Sequence, residues 1–285
     1  MTTREDLAPD RGTPRAAAGD PQRPTLVHRH PRLTFAVIAV GLTWAVQLTF
    51  LALGWPLFPA LAIELVILAV TASVITGLTE GKAGVRRLFA GVLRWRFGVR
   101  WWAAVLTVVP VATVAVAGVV GTLQGPDDGW GAEVFQYLFL TLVFGALLGN
   151  MWEELGWTGF FQAEMTDRHG LLEGALITAV PFGLIHLPLA FEADGLGGTS
   201  LRDVALTWSL LLVVAPFFRY LIGLTYQRTG RSLVAVAVLH GSFNAAGAMT
   251  LATGGWEYIA GAVLVTPVVT WVATRSGRQT AWLRA

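Results

Sequence analysis

The sequence predicts an all-α fold, a polytopic bundle of about eight transmembrane helices that encloses a polar cavity. Hydrophobic residues make up 54% of the chain and charged residues only 13%, whereas a soluble domain usually carries about 25% charged residues. Mean hydropathy is +0.61. The chain also contains a series of apolar runs of about 20 residues, which is the length that spans a bilayer.

Composition also narrows the chemistry and the partners. The chain has no cysteine, so disulfides and thiolate ligands are excluded. Its formal net charge is only +2, which is too small to indicate a nucleic-acid partner. The predicted partner is therefore the lipid bilayer itself.

The elements follow from the N-terminus. Residues 1–31 are rich in Pro, Arg and Ala and contain no apolar run, so they predict a disordered cytoplasmic tail rather than a secretory signal. The membrane domain is expected over residues 32–274, followed by a cytoplasmic tail over 275–285. Hydropathy places eight spans near Leu33–Leu53, Ala60–Thr79, Trp101–Leu123, Val134–Trp157, Leu171–Leu187, Val204–Tyr226, Ser232–Ala252 and Trp256–Ala273.

Basic residues flank alternate ends of these spans. They precede the first span and follow the second, sixth and eighth, whereas the other connections are acidic or neutral. The positive-inside rule then predicts a multi-pass plasma-membrane protein with both termini in the cytoplasm. The segment Gly81–Trp102 mixes Arg with Leu, Phe and Trp, which fits either an amphipathic helix on the inner leaflet or an ordinary basic loop.

An adjacent glutamate pair, Glu153 and Glu154, stands at the end of the fourth apolar run. A carboxylate in hydrocarbon costs about 2.5–3.5 kcal/mol on insertion scales, so such residues usually face a wet cavity. Neighbours on a helix point about 100° apart, so one glutamate should face a cavity and the other should orient it. Alternatively, the helix ends at Trp152 and both glutamates are hydrated at the cytoplasmic interface.

Two histidines occur in apolar spans, and each has a partner four residues away. Phe182 precedes His186, and Asn244 follows His240. Residues four apart share one face of a helix, so Phe182 is expected to pack beside one imidazole. His240 and Asn244 are expected to bind a polar group together. With the glutamates, this pattern predicts one buried polar site.

Three motifs in this order resemble those of the CPBP family of intramembrane proteases, which includes type II CAAX prenyl-protein proteases and bacteriocin self-immunity relatives. The family's first motif is two glutamates with an arginine four residues after the second; here Glu153-Glu154 is followed by Thr158. The Phe-x-x-x-His and His-x-x-x-Asn motifs follow. The resemblance covers residues 150–247 and implies an eight-helix bundle.

The resemblance implies an endopeptidase that cleaves a membrane-associated or lipidated peptide with an activated water. Glu153 and His186 would then activate the water, and His240 and Asn244 would stabilise the oxyanion. Glu154 is auxiliary, and Thr158 and Phe182 are supporting residues.

A metal-binding site is the alternative interpretation of the same residues. Glu153, His186 and His240 form a plausible Zn²⁺ set that leaves a position for water. No HExxH arrangement is present, and a glutamate-activated water without metal fits these residues equally well.

Other functions stay open. Thr158 lacks the cation of the motif arginine, which favours a catalytically impaired scaffold or immunity protein. A proton- or ion-coupled transporter would also use intramembrane glutamates and histidines, although the paired repeats expected of it are not visible. Ser242 is the nearest nucleophile candidate, but its place between His240 and Asn244 points it away from them.

The remaining predictions concern how deep in the membrane individual residues lie. Glu64, near the outer end of the second span, is expected to snorkel to the interface and to lie outside the site. His186 would lie about 22 Å deep from the cytoplasmic end of its span. Glu153 would lie near the cytoplasmic end, unless the fourth span continues further or the fifth tilts. The expected cavity opens to the cytoplasm or sideways to lipid.

Overall fold

The computed structural model describes residues 25–282, with side chains as far as Arg275. The described residues form a helical bundle without strands, apart from one isolated bridge between Leu123 and Ala252. Seven helices are long and apolar enough to cross a membrane, and the apolar helix Leu233–Gly247 is shorter. This confirms the all-α polytopic class.

The helices α1 to α12 follow one another along the chain, with two π-helical segments (π1 and π2) and two 3₁₀ turns between them. They are α1 Leu26–Arg29, α2 Pro31–Ala52, α3 Phe58–Ala90, the 3₁₀ turn Gly91–Leu93, α4 Val99–Val120, α5 Trp130–Leu138, π1 Phe139–Gly149, α6 Asn150–Glu154, π2 Leu155–Gln162, α7 Ala163–His169, α8 Leu171–Ile185, the 3₁₀ turn Leu187–Phe191, α9 Gly195–Gly198, α10 Leu201–Arg228, α11 Leu233–Gly247 and α12 Glu257–Trp282.

The expected tails differ in part from this arrangement. Of the predicted N-terminal tail, residues 1–24 lie outside the described residues, and α1 occupies part of the remainder. The predicted C-terminal tail starts within α12, because that helix continues to Trp282.

The fourth span is one continuous helical rod from Trp130 to His169. Its π-helical segments lie on either side of the short α6, which carries the two glutamates. π-helical turns inside α-helices occur frequently at functional sites, where they re-aim side chains. The helix therefore does not stop at Trp152, and it extends well past its hydropathy limit, which is one of the ways expected to reconcile the depths of Glu153 and His186.

Helix α3 breaks at Gly81, which has a φ of 67°. This left-handed conformation is accessible to glycine at no steric cost. The following segment is amphipathic, because Gly84, Leu88 and Gly91 are buried whereas Lys82 is exposed. Of the two possibilities for Gly81–Trp102, an amphipathic helix or a basic loop, the structure has a helix as far as Ala90, and α4 already begins at Val99.

Contacts between connections define the two ends of the bundle. At one end, Arg94 Nη1 donates a hydrogen bond of 2.8 Å to Gly230 O. At the other, Thr250 Oγ1 donates one of 2.7 Å to Glu133. We call the first the arginine-rich end, formed by residues 26–32, 80–98, 164–170 and 228–232. The opposite end is formed by residues 53–57, 121–129, 186–200 and 248–256.

Helix α11 lies in the centre of the bundle, against π1, α4 and α6. It has 15 residues, or about 22 Å at 1.5 Å per residue, which is less than the roughly 30 Å hydrocarbon thickness. Most of its residues are buried. It can be this short because protein rather than lipid surrounds it.

Two glycines allow α11 to approach π1 closely. A Cβ added at Gly145 would lie 2.6 Å from Gly241 Cα, and one added at Gly241 would lie 2.6 Å from Thr141 O. These neighbours are backbone atoms and cannot rotate away. The contact sets the distance of His240, next in sequence to Gly241, from the helix that carries the glutamates.

We expect Gly145→Ala to destabilise the protein by about 1–3 kcal/mol, because the added methyl group overpacks two backbones. Thermal unfolding in detergent measures this as a lowered Tm. The matched control is Gly41→Ala in α2, where an added Cβ meets nothing within 4 Å. Equal melting temperatures for the two variants would contradict the close-packing argument.

Candidate functional site

The two adjacent glutamates point into different environments, as their 100° separation predicts. Glu153 lines a cavity of about 550 Å³ and is 7% exposed. Glu154 is fully buried on the other side of the helix. The alternative in which both are hydrated at the interface is therefore wrong.

The cavity brings together most of the residues that the motifs single out. Glu153, His186, His240 and Asn244 all line it, with Asn150 and Glu64. The rest of its wall is apolar or glycine, supplied by α3, π1, α11 and the 3₁₀ turn after α8. His186, His240 and Asn244 also line a second cavity of about 190 Å³. The polar groups thus converge in an otherwise apolar space.

His186 is held at the C-terminal end of α8 by the way this helix ends. Its backbone N–H donates to Gly183 O rather than to Phe182 O. The freed Phe182 carbonyl lies 2.7 Å from Nδ1 of the imidazole. Nδ1 is therefore assigned as the donor, and Nε2 presents its lone pair to the cavity.

The surroundings of His186 fix this arrangement further. The indole of Trp44 donates to Leu184 O at 2.8 Å, and that of Trp208 donates to Leu187 O at 2.9 Å. The ring of Phe182 packs against the imidazole, with centroids 4.8 Å apart. The predicted packing role of Phe182 is confirmed.

His240 is oriented by the second glutamate. Its Nδ1 lies 2.8 Å from Glu154 Oε1, so the carboxylate fixes which ring nitrogen carries the proton. Phe218 packs edge-on against the ring, with centroids 4.9 Å apart. Nε2 then points toward Glu153 Oε2, at 3.9 Å.

Glu153 lies between the two imidazoles without touching either. Its Oε1 is 3.9 Å from His186 Nε2 and its Oε2 is 3.9 Å from His240 Nε2. Oε1 is buried and has no hydrogen-bond partner within the protein. Buried polar atoms are rarely left unpaired, and a water is able to bridge polar groups at separations of this size.

Glu154 forms an ion pair with Arg219 of α10, a residue that the sequence analysis missed. Arg219 Nη1 lies 2.9 and 3.1 Å from the two carboxylate oxygens, and both side chains are fully buried. Nη2 donates to Thr158 Oγ1 at 2.7 Å, and Nε donates to Gln162 Oε1 at 2.9 Å. Thr158 also donates to Glu154.

Arg219 therefore supplies the cation that Thr158 lacks. Thr158 itself carries no cation, as its residue type predicts, but the guanidinium that pairs with Glu154 comes from another helix. The signal that could have found Arg219 is its position inside the apolar run of the sixth span, because arginine at that depth is costly and normally paired.

Glu64 belongs to the cavity, and the prediction that it snorkels outside the site is wrong. It is 5% exposed, and Gln47 Nε2 donates to its Oε2 at 2.9 Å. One oxygen of Glu64 lies within 4.8 Å of ligand atoms of Glu153 and His186. Its side chain points into the bundle because Gln47 on α2 donates a hydrogen bond to it there.

The cavity lies toward the opposite end of the bundle, not toward the arginine-rich end as expected. Glu64 is six residues from the start of α3, or about 9 Å, and 17 residues from Gly81, or about 25 Å. Glu153 lies 16 residues before the end of the fourth span at His169, or about 24 Å. This matches the depth of His186 and resolves the discrepancy found in the sequence.

A separate cavity of about 360 Å³ occupies the arginine-rich end, with Arg32, Glu80 and Arg94 among its lining residues. It shares no lining residue with the cavity of the site. The site is therefore reached from elsewhere.

Comparison with known families agrees with this geometry. Residues 134–246 match the family model described as type II CAAX prenyl endopeptidase Rce1-like. Through this segment the chain is similar to the Rce1-like family. The match begins in α5 and ends in α11, so it contains Glu153, His186 and His240 and extends over less than half of the chain. No curated protein matches the chain.

The Rce1-like segment does not include every contributor to the cavity. Glu64 lies on α3 and Gln47 on α2, both N-terminal to residue 134. Arg219 lies inside the segment, yet on a different helix from the motif whose glutamate it pairs with. The site therefore combines family motif residues with side chains that only the fold brings close.

We expect Arg219→Met to lower stability by about 3–5 kcal/mol, because it leaves the Glu154 carboxylate buried and unpaired. Thermal unfolding in detergent measures the loss. The control is Arg231→Met, which breaks an ion pair with Asp167 that is about half exposed and should cost less than about 1 kcal/mol.

A double variant tests whether the loss of charge compensation causes the lowered stability of Arg219→Met. Adding Thr158→Arg to Arg219→Met returns a guanidinium to the family's motif position, beside Glu154, and should recover part of the lost Tm. If Arg219→Met unfolds at the same temperature as Arg231→Met, the buried pair does not stabilise the bundle.

Proposed function

We propose that this protein is an intramembrane endopeptidase of the CAAX-protease type, which cleaves a membrane-associated peptide with an activated water. The observation that carries the proposal is the position of Glu153. It is buried, unpartnered at Oε1 and 3.9 Å from each of two oriented imidazoles. A water between Glu153 and His186 would lie within hydrogen-bond reach of both.

In the proposed reaction, Glu153 accepts a proton from this water while the water oxygen attacks the scissile carbonyl carbon. His186 Nε2 accepts the second hydrogen bond of the water and aligns its lone pair. The tetrahedral intermediate then collapses, the C–N bond breaks, and the proton held by Glu153 passes to the leaving nitrogen. Because the water is the nucleophile, no covalent enzyme intermediate forms. Ser242, whose hydroxyl lies 2.6 Å from the Tyr137 hydroxyl, takes no part.

His240 and Asn244 are assigned to the developing oxyanion. The Asn244 amide lines the cavity beside His240 and can donate two hydrogen bonds. His240 is able to donate from Nε2 when both of its ring nitrogens are protonated. A single donor of this kind contributes about 10²–10³ in kcat.

The substrate is proposed to reach the site sideways from the bilayer. Phe58 on α3 and Phe144 on π1 are half-exposed, stand with ring centroids 5.9 Å apart and border the cavity. Leu148 and Ala62 beside them also face outward. An opening with apolar rims suits a peptide already held in the membrane. We call this opening between α3 and π1 the lateral portal.

A non-catalytic scaffold or immunity role is the second candidate. Its support from the sequence was the missing motif arginine. Arg219 occupies that electrostatic role, so the peptidase proposal is preferred.

We expect Glu153→Gln to lower proteolysis by at least about 10²–10⁴-fold, because glutamine cannot accept the proton of the water. Because the substrate is unidentified, the measurement is quantitative mass spectrometry of new peptide termini in membranes of cells that express the parent or the variant. Glu133→Gln, a buried carboxylate outside the cavity that binds Thr250, is the matched control. If the parent and Glu153→Gln produce identical termini, the peptidase proposal fails and the scaffold role is favoured.

If the arginine-rich end faces the cytoplasm, the lateral portal opens in the outer half of the membrane. The chain has no cysteine, so single cysteines report accessibility directly. We expect a membrane-impermeant maleimide to label Ala248→Cys, at the opposite end, in intact cells. Lys82→Cys, at the arginine-rich end, should be labelled only after permeabilisation. The reverse pattern would place the portal in the cytoplasmic half.

A further inference from the structure

We propose that Asn150 binds the main chain of the substrate: its carboxamide donates a hydrogen bond to a peptide carbonyl next to the scissile bond. This inference rests on the proposed peptidase function and adds to it a residue that belongs to none of the three motifs. Asn150 is 7% exposed, and it lines the same cavity as Glu153. Its Nδ2 is buried and has no hydrogen-bond partner within the protein.

An unpaired donor at this place indicates a missing acceptor. Of the buried side-chain atoms that lack a partner in the described part of the chain, two belong to residues of this cavity, Asn150 Nδ2 and Glu153 Oε1. A buried carboxamide without a hydrogen bond is costly, and native proteins rarely keep one. Once a peptide displaces water from the cavity, Asn150 needs an acceptor that the peptide itself supplies. A main-chain carbonyl oxygen is such an acceptor.

Helix geometry places Asn150 between the lateral portal and the carboxylate of Glu153. Asn150 precedes Glu153 by three residues in α6, so the two side chains are neighbours on one helix face, about 4.5 Å apart along the axis. Phe144, at the rim of the portal, comes earlier in the same helical rod. A peptide that enters past Phe144 therefore meets Asn150 before it reaches Glu153.

The two residues between Asn150 and Glu153 point elsewhere. Met151 is buried in the hydrophobic core, and Trp152 is 37% exposed. Neither lines the cavity. The π-helical segment π1 ends at Gly149, directly before Asn150, and π-helical turns are frequent at functional sites. The first turn of α6 thus presents two polar groups to the same space.

A substrate in the bilayer needs such a partner. A peptide segment within hydrocarbon satisfies its own backbone hydrogen bonds by forming a helix. Attack by water requires that the peptide unwinds locally, because the helix shields the scissile carbonyl. Unwinding frees peptide N–H and C=O groups, which are costly to leave unpaired in apolar surroundings. Most of the cavity wall is apolar, so the freed groups depend on its few polar side chains.

The other polar side chains of the cavity already have roles. Four of them take part in the proposed reaction, namely Glu153, His186, His240 and Asn244. Glu64 accepts a hydrogen bond from Gln47, and a carboxylate offers no donor. Among the described residues of the cavity wall, Asn150 is then the remaining side-chain donor for a main-chain carbonyl.

Recognition of the main chain has a consequence for specificity. Every residue carries the same carbonyl group, so Asn150 holds the peptide without selecting a side chain at that position. The substrate class is therefore an unwound peptide segment in the membrane, defined at this point by its conformation rather than by its sequence.

The stability of the substrate-free protein in detergent gives the first test. Asn150→Leu replaces the carboxamide with an apolar group of nearly the same shape, and so removes an unpaired buried donor. We expect its Tm to equal or exceed that of the parent. The matched control is Gln162→Met, because Gln162 is a carboxamide that is 1% exposed and bonded to Arg219 at both its nitrogen and its oxygen. The Tm of this control should fall by at least about 2 °C.

Proteolysis in membranes gives the second test, again by mass spectrometry of new peptide termini. The informative termini are those that disappear in Glu153→Gln. Asn150→Leu should lower their abundance about 10-fold or more, and to a similar extent at every cleavage site, because all sites share the main-chain carbonyl. Asn150→Ala also lacks the donor and replaces the leucine variant if that variant does not fold. Asn150→Gln keeps a carboxamide and should retain more cleavage than Asn150→Ala.

Two results would overturn this inference alone. One is a Tm loss in Asn150→Leu as large as that in Gln162→Met, because the carboxamide would then be bonded within the protein. The other is cleavage that depends on Glu153 but is unchanged in Asn150→Leu and Asn150→Ala. Identical termini in the parent and Glu153→Gln would instead refute the peptidase proposal, and the role of Asn150 with it.

Discussion

The buried ion pair between Glu154 and Arg219 is the interaction on which the rest of the site depends. Both side chains are fully inaccessible, and a charge left alone at this depth would be strongly destabilising. Each charge therefore needs the other as its partner, and this requirement holds the fourth span against α10. The same carboxylate orients His240. Helix packing and imidazole orientation thus have a common cause.

This arrangement divides the glutamate pair into two roles that cannot be exchanged. Glu154 has every acceptor position occupied by Arg219, Thr158 and His240, so it has no capacity left for a ligand. Glu153, one residue earlier, has an oxygen with no partner. A helix offers this contrast between neighbours because successive side chains point about 100° apart. The carboxylate that lines the cavity is thereby held next to a fixed one.

The π-helical segments on both sides of the glutamates have a related consequence. Widened turns displace the side-chain register of a long helix without ending it, so Trp130–His169 can both cross the membrane and present Glu153 to the cavity. π1 also forms one rim of the lateral portal. The helix that carries Glu153 therefore also borders the proposed substrate path.

The sequence alone determined the membrane class, the number of apolar helices and the convergence of His186, His240 and Asn244 with Glu153. Those conclusions depend on local quantities, namely hydropathy over about 20 residues and the helical spacing of four residues. These quantities do not change with the tertiary arrangement. The 100° rule likewise predicted that the two glutamates would diverge. The depth mismatch between Glu153 and His186 predicted a longer fourth helix, a fifth span that tilts or begins late, or both, and the fourth helix is indeed longer.

Tertiary structure decided what depends on contacts between distant helices. Glu64 faces inward because Gln47 on another helix receives it, and no pattern along α3 reveals that partner. The guanidinium absent at Thr158 comes from residue 219, 61 positions later, since electrostatic compensation requires proximity in space rather than in sequence. The end of the bundle at which the cavity lies was likewise settled by how helices of unequal length pack around α11.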